Sequence, residues 1–183
     1  GKVIGGGLPI GVVAGRHEYM DALDGGGWSY GDASVPEVGV TFFAGTFVRH
    51  PLALAAARAV LVHLEREGPS LQRELNARTE AFVAALRDRV RRRGVPISVT
   101  HFASWFYFHL PSELPAGSLF FAYMRLKGVH IWEGRPGFLT TAHTPADVER
   151  VVAAFDETLA EMQAAGLFKV LQEQGVAAGI RRI

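Results

Sequence analysis

One lysine stands immediately before a glycine-rich apolar segment. Lys2 is followed by Gly5, Gly6 and Gly7, and the sequence holds three lysines against sixteen arginines. Apolar surroundings disfavour the charged form of an amine, so a lysine held there can lose its proton near neutral pH and attack carbonyl carbons. A residue so near a terminus is also often poorly ordered and without a role. Residue types alone therefore leave Lys2 open between a nucleophilic amine and an inactive terminal side chain.

Two other positions could bind anions. Gly45 and Thr46 precede the predicted start of a helix, where backbone N–H groups, a hydroxyl and the helix dipole favour phosphate. A threonine that only caps the helix is an equally good interpretation. Arg135, between Gly134 and Pro136, could clamp a carboxylate with two parallel hydrogen bonds, or it could be a surface turn residue. The glycine triplet lacks the lysine and hydroxyl residue that follow in a P-loop.

Composition and spacing disfavour several other chemistries. The sequence has no cysteine, which removes disulfides, thiolate metal sites and cysteine nucleophiles. Its seven histidines include no pair spaced i, i+4, and no Gly-x-Ser-x-Gly elbow occurs, which argues against helical zinc sites and serine hydrolases. A net charge of +1 provides no broad field for nucleic acid or an anionic membrane. The apolar segment 3–14 is too short to cross a bilayer. These features predict a cytoplasmic protein with no nucleic-acid, membrane or metal partner.

Hydrophobic periodicity and turn residues predict a mixed α/β chain. Helices are predicted over 16–23, 51–67, 71–93 and 116–127, and from Thr144 onward. Ser70 is the expected cap of the third helix, and Thr144 begins a Thr-Pro-Ala-Asp capping sequence. The helix over 51–67 is apolar nearly all round, so we expect it to be buried. Strands are predicted within 3–15 and over 40–46, 97–101, 104–110, 129–133 and 138–142. A long loop over 24–39 carries Trp28 and Tyr30, and loops of this length are usually functional or mobile.

Three segments together resemble one family. The run 1–11, GKVIGGGLPIG, resembles the active-site lysine segment of class III pyridoxal-phosphate aminotransferases. Residues 43–47 (FAGTF), followed by His-Pro-Leu-Ala at 50–53, are similar to that family's second phosphate-binding segment, and 138–144 (FLTTAHT) to the end of its small domain. The resemblance covers the chain to about Phe168. Within the family, the loop over 24–39 and the segment 129–134 are most similar to aminotransferase domains of hybrid polyketide/nonribosomal peptide synthetases, in the branch that contains glutamate-1-semialdehyde aminomutase.

The resemblance implies a fold and a division into domains. The fold would be α/β, the C-terminal half of a fold-type I pyridoxal-phosphate-dependent transferase, with the end of the large domain over 1–68, an α+β small domain over 69–165, and a tail or linker over 166–183. The acid and aromatic residue that contact the cofactor ring precede the lysine in this family. We therefore expect a missing N-terminal half of the same enzyme as the first partner.

The resemblance also implies roles. Lys2 would carry pyridoxal 5'-phosphate as a Schiff base and shuttle a proton, while Thr46 with Gly45 would bind the cofactor phosphate of the neighbouring subunit in a homodimer. Independently of the resemblance, the residue type and turn position of Arg135 make it the predicted substrate-binding residue. The reaction would transfer an amino group from a small amino-acid donor to a β-keto acyl chain on an acyl carrier protein. Two alternatives stay open: an isomerase of the semialdehyde aminomutase type, and a non-catalytic fragment or docking module.

Overall fold

The computed structural model describes residues 1, 3–112, 114 and 117–169. The chain divides into two compact units, Gly1–Gly68 and Pro69–Ile183. Lys2 and most of the expected tail over 166–183 lie outside the described residues. In the part of the chain that is described, no helix is both long and apolar enough to span a membrane.

The first unit contains two helices. Helix α1 spans His17–Asp24 and ends at Gly25, whose φ of 97° is in the left-handed region that favours glycine. Helix α2 spans Pro51–Glu67, with His50 as its N-cap and proline at its first position. The N–H of Gly68 donates to the carbonyl of Leu64 at 3.0 Å and closes the last turn of α2. Both helices were predicted from the sequence within one residue of these bounds.

Three predictions for the first unit are wrong. No strand forms over 40–46 or within the described part of 3–15, and Phe42 is 93% exposed. Helix α2 buries only Ala53 and Ala57. Apolar and β-branched residues indicate that a segment suits a buried sheet, but a strand also needs a hydrogen-bonded neighbour. None of the described segments in this unit supplies that neighbour, so the apolar side chains stay exposed.

The second unit packs three helices with a three-stranded sheet. In chain order its elements are α3 (Pro69–Arg93), β1 (Ser98–Phe102), β2 (Trp105–His109), α4 (Leu119–Leu126), β3 (Gly137–Phe138) and α5 (Pro145–Ala164). The strand order is β1-β2-β3, and both pairs are antiparallel. Phe102 pairs with Trp105, so a two-residue turn of Ala103 and Ser104 joins β1 to β2. Ala103 has a φ of 51°, as a tight hairpin turn requires.

Several predicted boundaries differ from those observed in this unit. The expected strand over 129–133 does not form, although Val129 and Ile131 are buried there. Their side chains enter the core while the backbone has no ladder partner, which explains why an apolar run misled the prediction. Strand β3 is shorter than the expected 138–142. Helix α3 begins at Pro69, which places Ser70 inside the first turn instead of at the cap.

The N-terminus of α5 confirms the predicted capping sequence. The Thr144 hydroxyl accepts from the N–H of Asp147 at 3.2 Å, and the Asp147 carboxylate accepts from the N–H of Thr144 at 2.8 Å. Pro145 occupies the first turn, where its lack of an N–H removes no bond. This reciprocal pair satisfies donors that the helix itself cannot satisfy.

Phenylalanine rings form the centre of the second unit. Phe155 of α5 is fully buried and stacks on Phe108 of β2, with ring centroids 5.4 Å apart and planes 24° apart. Phe120 of α4 meets Phe155 edge-on at 5.8 Å. Phe82 of α3 and Phe106 of β2 make a second edge contact at 5.1 Å. Each helix of this unit therefore delivers an aromatic ring to one face of the sheet.

Polar contacts join the elements around this core. The guanidinium of Arg93 donates to both carboxylate oxygens of Asp156, at 2.7 and 2.8 Å, and ties the end of α3 to α5. Gln163 donates to the Arg93 carbonyl at 2.8 Å. Arg87 Nε donates to the Val99 carbonyl at 2.8 Å and links α3 to β1. Hydrogen bonding from Arg93 is the main cause that lowers the pKa of Asp156, and the charges of nearby arginines add to it.

We expect Phe155→Ala to lower the free energy of unfolding of the second unit by about 3–5 kcal/mol, because it opens a cavity between two sheet-facing rings. Phe138→Ala is the control, since Phe138 is 58% exposed and its loss removes little packing. Denaturant titration with a circular-dichroism readout measures both. Equal effects of the two substitutions would contradict the central role of Phe155.

The Arg93–Asp156 pair predicts a pH-dependent stability difference. A carboxyl whose pKa is lowered by folding stabilises the protein above its unfolded pKa, about 3.9, and this contribution is lost as the pH falls through the lower folded pKa. The side chains are 26% and 33% exposed, so we expect Asp156→Asn to cost about 1 kcal/mol at pH 7. Below about pH 4 the difference from the unsubstituted protein should shrink. Thermal unfolding at several pH values tests this, and a constant difference would rule out the ionised pair as its source.

Candidate functional site

The glycine triplet forms a tight turn beside Lys2. The N–H of Gly5 donates to the Gly1 carbonyl at 2.8 Å, and the N–H of Leu8 donates to the Gly5 carbonyl at 3.0 Å. Gly6 has a φ of 58°, and a Cβ built on it would lie 3.3 Å from Val60 Cγ2 of α2. The turn therefore lies against α2 at a position that only glycine occupies without strain. Lys2 itself is outside the described residues, so its catalytic role remains a prediction.

Gly45 and Thr46 lie at the start of a turn, one turn before α2. The N–H of Val48 donates to the Gly45 carbonyl at 3.0 Å, and Arg49 in the same turn has a left-handed φ of 58°. The Arg49 guanidinium lies 6.0 Å from the centroid of the Phe43 ring. The predicted position ahead of the helix is confirmed, with residues 47–50 between Thr46 and α2. His50 occupies the N-cap position without a side-chain hydrogen bond, so Thr46 is not the cap of α2.

The Gly45–Thr46 segment has the donors that a phosphate needs. Both residues are exposed, and neither their N–H groups nor the Thr46 hydroxyl donates a hydrogen bond to any other described residue. Exposed N–H and hydroxyl donors next to an arginine suit the phosphate end of pyridoxal phosphate. This turn therefore fits the phosphate-binding role that its sequence predicts, which stays a prediction.

Arg135 lies in a second turn, between Ile131 and β3. Its N–H donates to the Trp132 carbonyl at 3.2 Å, and its guanidinium carbon lies 5.4 Å from the centroid of the Trp132 ring. Gly134, between the two residues, has a φ of 65°, as this tight turn requires. Gly45 and Thr46 belong to the first unit and Arg135 to the second.

A cavity of about 570 Å³ opens beside the Arg135 turn. Trp132, three residues before Arg135, and Pro136, directly after it, line this cavity. Apolar residues of α3, β2, the segment after α4, and α5 complete the lining. Arg150 reaches into it over Gly128, where a Cβ would lie 2.4 Å from the Arg150 Nη2. Asp147 also lines it, and hydrogen bonds from Thr144 lower the pKa of this carboxyl.

Sequence reasoning missed three features of these sites. The stacking of Arg135 on Trp132 could have been found, because a Trp-x-Gly-Arg sequence brings its first and last residues together in a turn. The left-handed Arg49 has no sequence signal, since such backbone is rare for any residue other than glycine. The cavity depends on helices distant in sequence. Among the described residues no group of histidines and carboxylates could hold a metal.

The chain is similar in sequence to curated aminomutases. No family model matches it. It is 30% identical to glutamate-1-semialdehyde 2,1-aminomutase of Desulforapulum autotrophicum, over 87% of this chain and 37% of that protein. It is 32% identical to the enzyme of the same name from Gemmatimonas aurantiaca, over 87% of this chain and 36% of that protein. The chain thus spans little more than a third of the length of these curated relatives.

Solved structures of transaminases also match this chain over little more than a third of their own length. An omega-transaminase from Sphaerobacter thermophilus matches with a TM-score of 0.69 and 27% identity, over 89% of this chain and 38% of that one. A β-phenylalanine aminotransferase from Variovorax paradoxus matches with a TM-score of 0.69 and 27% identity, over 90% of this chain and 38% of that one. A transaminase with pyridoxal phosphate bound matches in fold, with a TM-score of 0.72 and 24% identity, over 91% of this chain and 38% of that one.

These matches confirm the predicted fold class. The chain has the α/β architecture of part of a fold-type I pyridoxal-phosphate-dependent transferase, and its structural neighbours are transaminases. The matched proteins are named as aminomutases and transaminases. These names do not indicate a hybrid synthetase domain, which stays a prediction.

Gly6→Ala should destabilise the turn next to Lys2 by about 1–2 kcal/mol, because a side chain must adopt a left-handed backbone there. The added Cβ would also press against Val60. Gly11→Ala is the matched control, since Gly11 has no left-handed φ and no atom within 4 Å of an added Cβ. Urea unfolding compares the two. If both variants unfold at the same urea concentration, the turn does not depend on glycine at position 6.

Proposed function

We propose that this chain is part of a pyridoxal-phosphate-dependent aminotransferase that moves an amino group from an amino-acid donor to a keto group. The observation that carries the proposal is the fold similarity to transaminases over about nine-tenths of the chain. The order of the segments adds support, because the lysine and glycine triplet precede the Gly45–Thr46 turn as they do in the family that the sequence resembles.

Lys2 is proposed as the residue that binds the cofactor and moves the proton. When bound, pyridoxal phosphate supplies an electron-withdrawing ring that stabilises negative charge on the substrate carbon. The Lys2 amine would hold the cofactor. Its Nζ, when free, would act toward the substrate carbon first as a general base and then as a general acid.

The phosphate is proposed to bind at the Gly45–Thr46 turn of the neighbouring subunit in a homodimer. The exposed N–H and hydroxyl donors of this turn support that role. An active site built from two copies makes the dimer necessary for activity. The remaining contacts to the cofactor ring are proposed to come from the N-terminal half of the same enzyme.

The acceptor is proposed to be a β-keto acyl chain on an acyl carrier protein, which becomes a β-amino acyl chain. Two observations support this choice. The loop over 24–39 and the segment 129–134 resemble aminotransferase domains of hybrid synthetases. One structural neighbour is named for an amino acid whose amine is at the β-carbon. Arg135 is proposed to bind the carboxylate of the amino-acid donor, in a protein that works in the cytoplasm.

A second candidate function is an isomerase of the glutamate-1-semialdehyde 2,1-aminomutase type. The names of both curated relatives favour it. An aminomutase moves the amine within one molecule and turns over without a separate donor, whereas an aminotransferase stops after one half-reaction. Turnover of glutamate-1-semialdehyde in the absence of any donor amine would therefore favour the isomerase.

Borohydride reduction of the full-length protein with pyridoxal phosphate tests the role of Lys2. We expect a stable cofactor adduct on the peptide that contains Lys2, detected by mass spectrometry. Lys2→Ala should remove this adduct and lower amino transfer by at least about a thousandfold, because the covalent link and the proton carrier are lost together. Lys169→Ala, which changes an exposed lysine, should leave both unchanged.

The same experiment separates the proposal from a non-catalytic docking module. A colourless protein with no reducible adduct would support the docking module and overturn the enzyme proposal. An adduct that persists in Lys2→Ala would place the cofactor on another lysine and overturn the role of Lys2.

A further inference from the structure

We propose that Trp132 is a positioning residue that holds the Arg135 guanidinium ready to bind a carboxylate. The inference rests on the proposed function, because the carboxylate in question is that of the amino-acid donor. The proposed function does not itself require Trp132. The inference gives this residue a role and explains how the Trp132–Arg135 turn selects a charged ligand.

The turn brings the two side chains together. The N–H of Arg135 donates to the Trp132 carbonyl at 3.2 Å, which closes the turn across Glu133 and Gly134. Gly134 permits this closure through its φ of 65°. The guanidinium carbon then lies 5.4 Å from the centroid of the Trp132 ring, within the range of a cation–π contact. Pro136 follows at once and restricts the backbone on the other side.

The Trp132 ring covers the Arg135 guanidinium but leaves its N–H groups without hydrogen-bond acceptors in the described part of the chain. A planar guanidinium that lies over an aromatic ring keeps its N–H groups at its edge available for hydrogen bonds. Among the described residues no carboxylate is within ion-pair distance of Arg135, although Glu133 is two residues away. A cation held in one orientation with free donors is suited to a planar, bidentate anion such as a carboxylate.

The turn is fixed to the core of the second unit. A Cβ on Gly137 would lie 2.4 Å from Phe106 Cζ, so the backbone after the turn lies directly on a buried ring. Phe138 pairs with Trp105 in the sheet. These contacts anchor the base of the turn. Trp132 itself is 70% exposed, so burial does little to explain a tryptophan at this position, and the contact with Arg135 is the better explanation.

A pair of ligands that differ only in charge tests the inference. Hexanoate and hexanamide have the same chain length, and calorimetric titration into the full-length, cofactor-loaded protein gives the dissociation constant of each. The unsubstituted protein should prefer hexanoate. Arg135→Ala should weaken hexanoate binding about tenfold to a hundredfold and remove the preference, because a charge-assisted bidentate contact is lost.

Trp132→Ala should weaken hexanoate binding about two- to fivefold and leave hexanamide unchanged, which is the size expected of an exposed cation–π contact. Trp132→Phe should restore most of the affinity, because a phenyl ring also offers a face to the cation. Phe102→Ala is the matched control, since it removes an aromatic side chain that is 71% exposed elsewhere on the same sheet. It should change neither dissociation constant.

Three results would overturn the inference. The first is an unsubstituted protein without any preference for hexanoate. The second is a Trp132→Ala variant that loses affinity for both ligands equally, which indicates a structural role alone. The third is an unchanged hexanoate affinity in Trp132→Ala when Arg135→Ala has lost it. None of these alters the cofactor adduct at Lys2, so failure here is distinguishable from failure of the proposed function.

Discussion

The second unit depends on the contact between Phe155 of α5 and Phe108 of β2. This stacked pair joins the last helix to the middle strand, and Phe120 closes the same cluster from α4. The middle strand then fixes β3 through pairing and through the close approach of Gly137 to Phe106. Because the Arg135 turn leads directly into β3, the position of a solvent-facing guanidinium is set by rings buried in the core.

The segment beside Lys2 and the Gly45–Thr46 segment are both tight turns, but different residues adopt the left-handed backbone in each. The turn beside Lys2 uses glycine where the backbone is left-handed and lies against α2, whereas the Gly45–Thr46 turn places a left-handed arginine among free donors. A left-handed backbone costs energy at a residue other than glycine, as at Arg49, and such positions are concentrated at functional sites. The Trp132–Arg135 turn adds a third device, in which an aromatic ring holds the orientation of a long charged side chain.

The sequence predicts helices and caps well because these depend on local interactions. Pro51, Gly68 and the Thr144–Asp147 pair mark helix ends through bonds within a few residues, and the structure places the ends there. Strands over 40–46 and 129–133 were predicted from apolar content, which does not reveal whether a neighbouring strand exists. The residue types of Gly45, Thr46 and Arg135 were sufficient to predict that these positions could bind anions. The stacking of Arg135 and the cavity beside it required the folded backbone, because they depend on a turn conformation and on helices far apart in sequence.

The pairing of α3 with α5 has a consequence for synthesis on the ribosome. Arg93 and Asp156 are 63 residues apart, and Arg78 and the carbonyl of His143 are 65 apart, whereas the β1–β2 hairpin closes across two residues. Local contacts form first and distant ones pay a larger chain-closure entropy. The hairpin and α3 are therefore exposed to the cell for the time needed to translate some fifty further residues, with the inner face of Phe108 uncovered. Until α5 emerges, the uncovered apolar face of this sheet is open to aggregation.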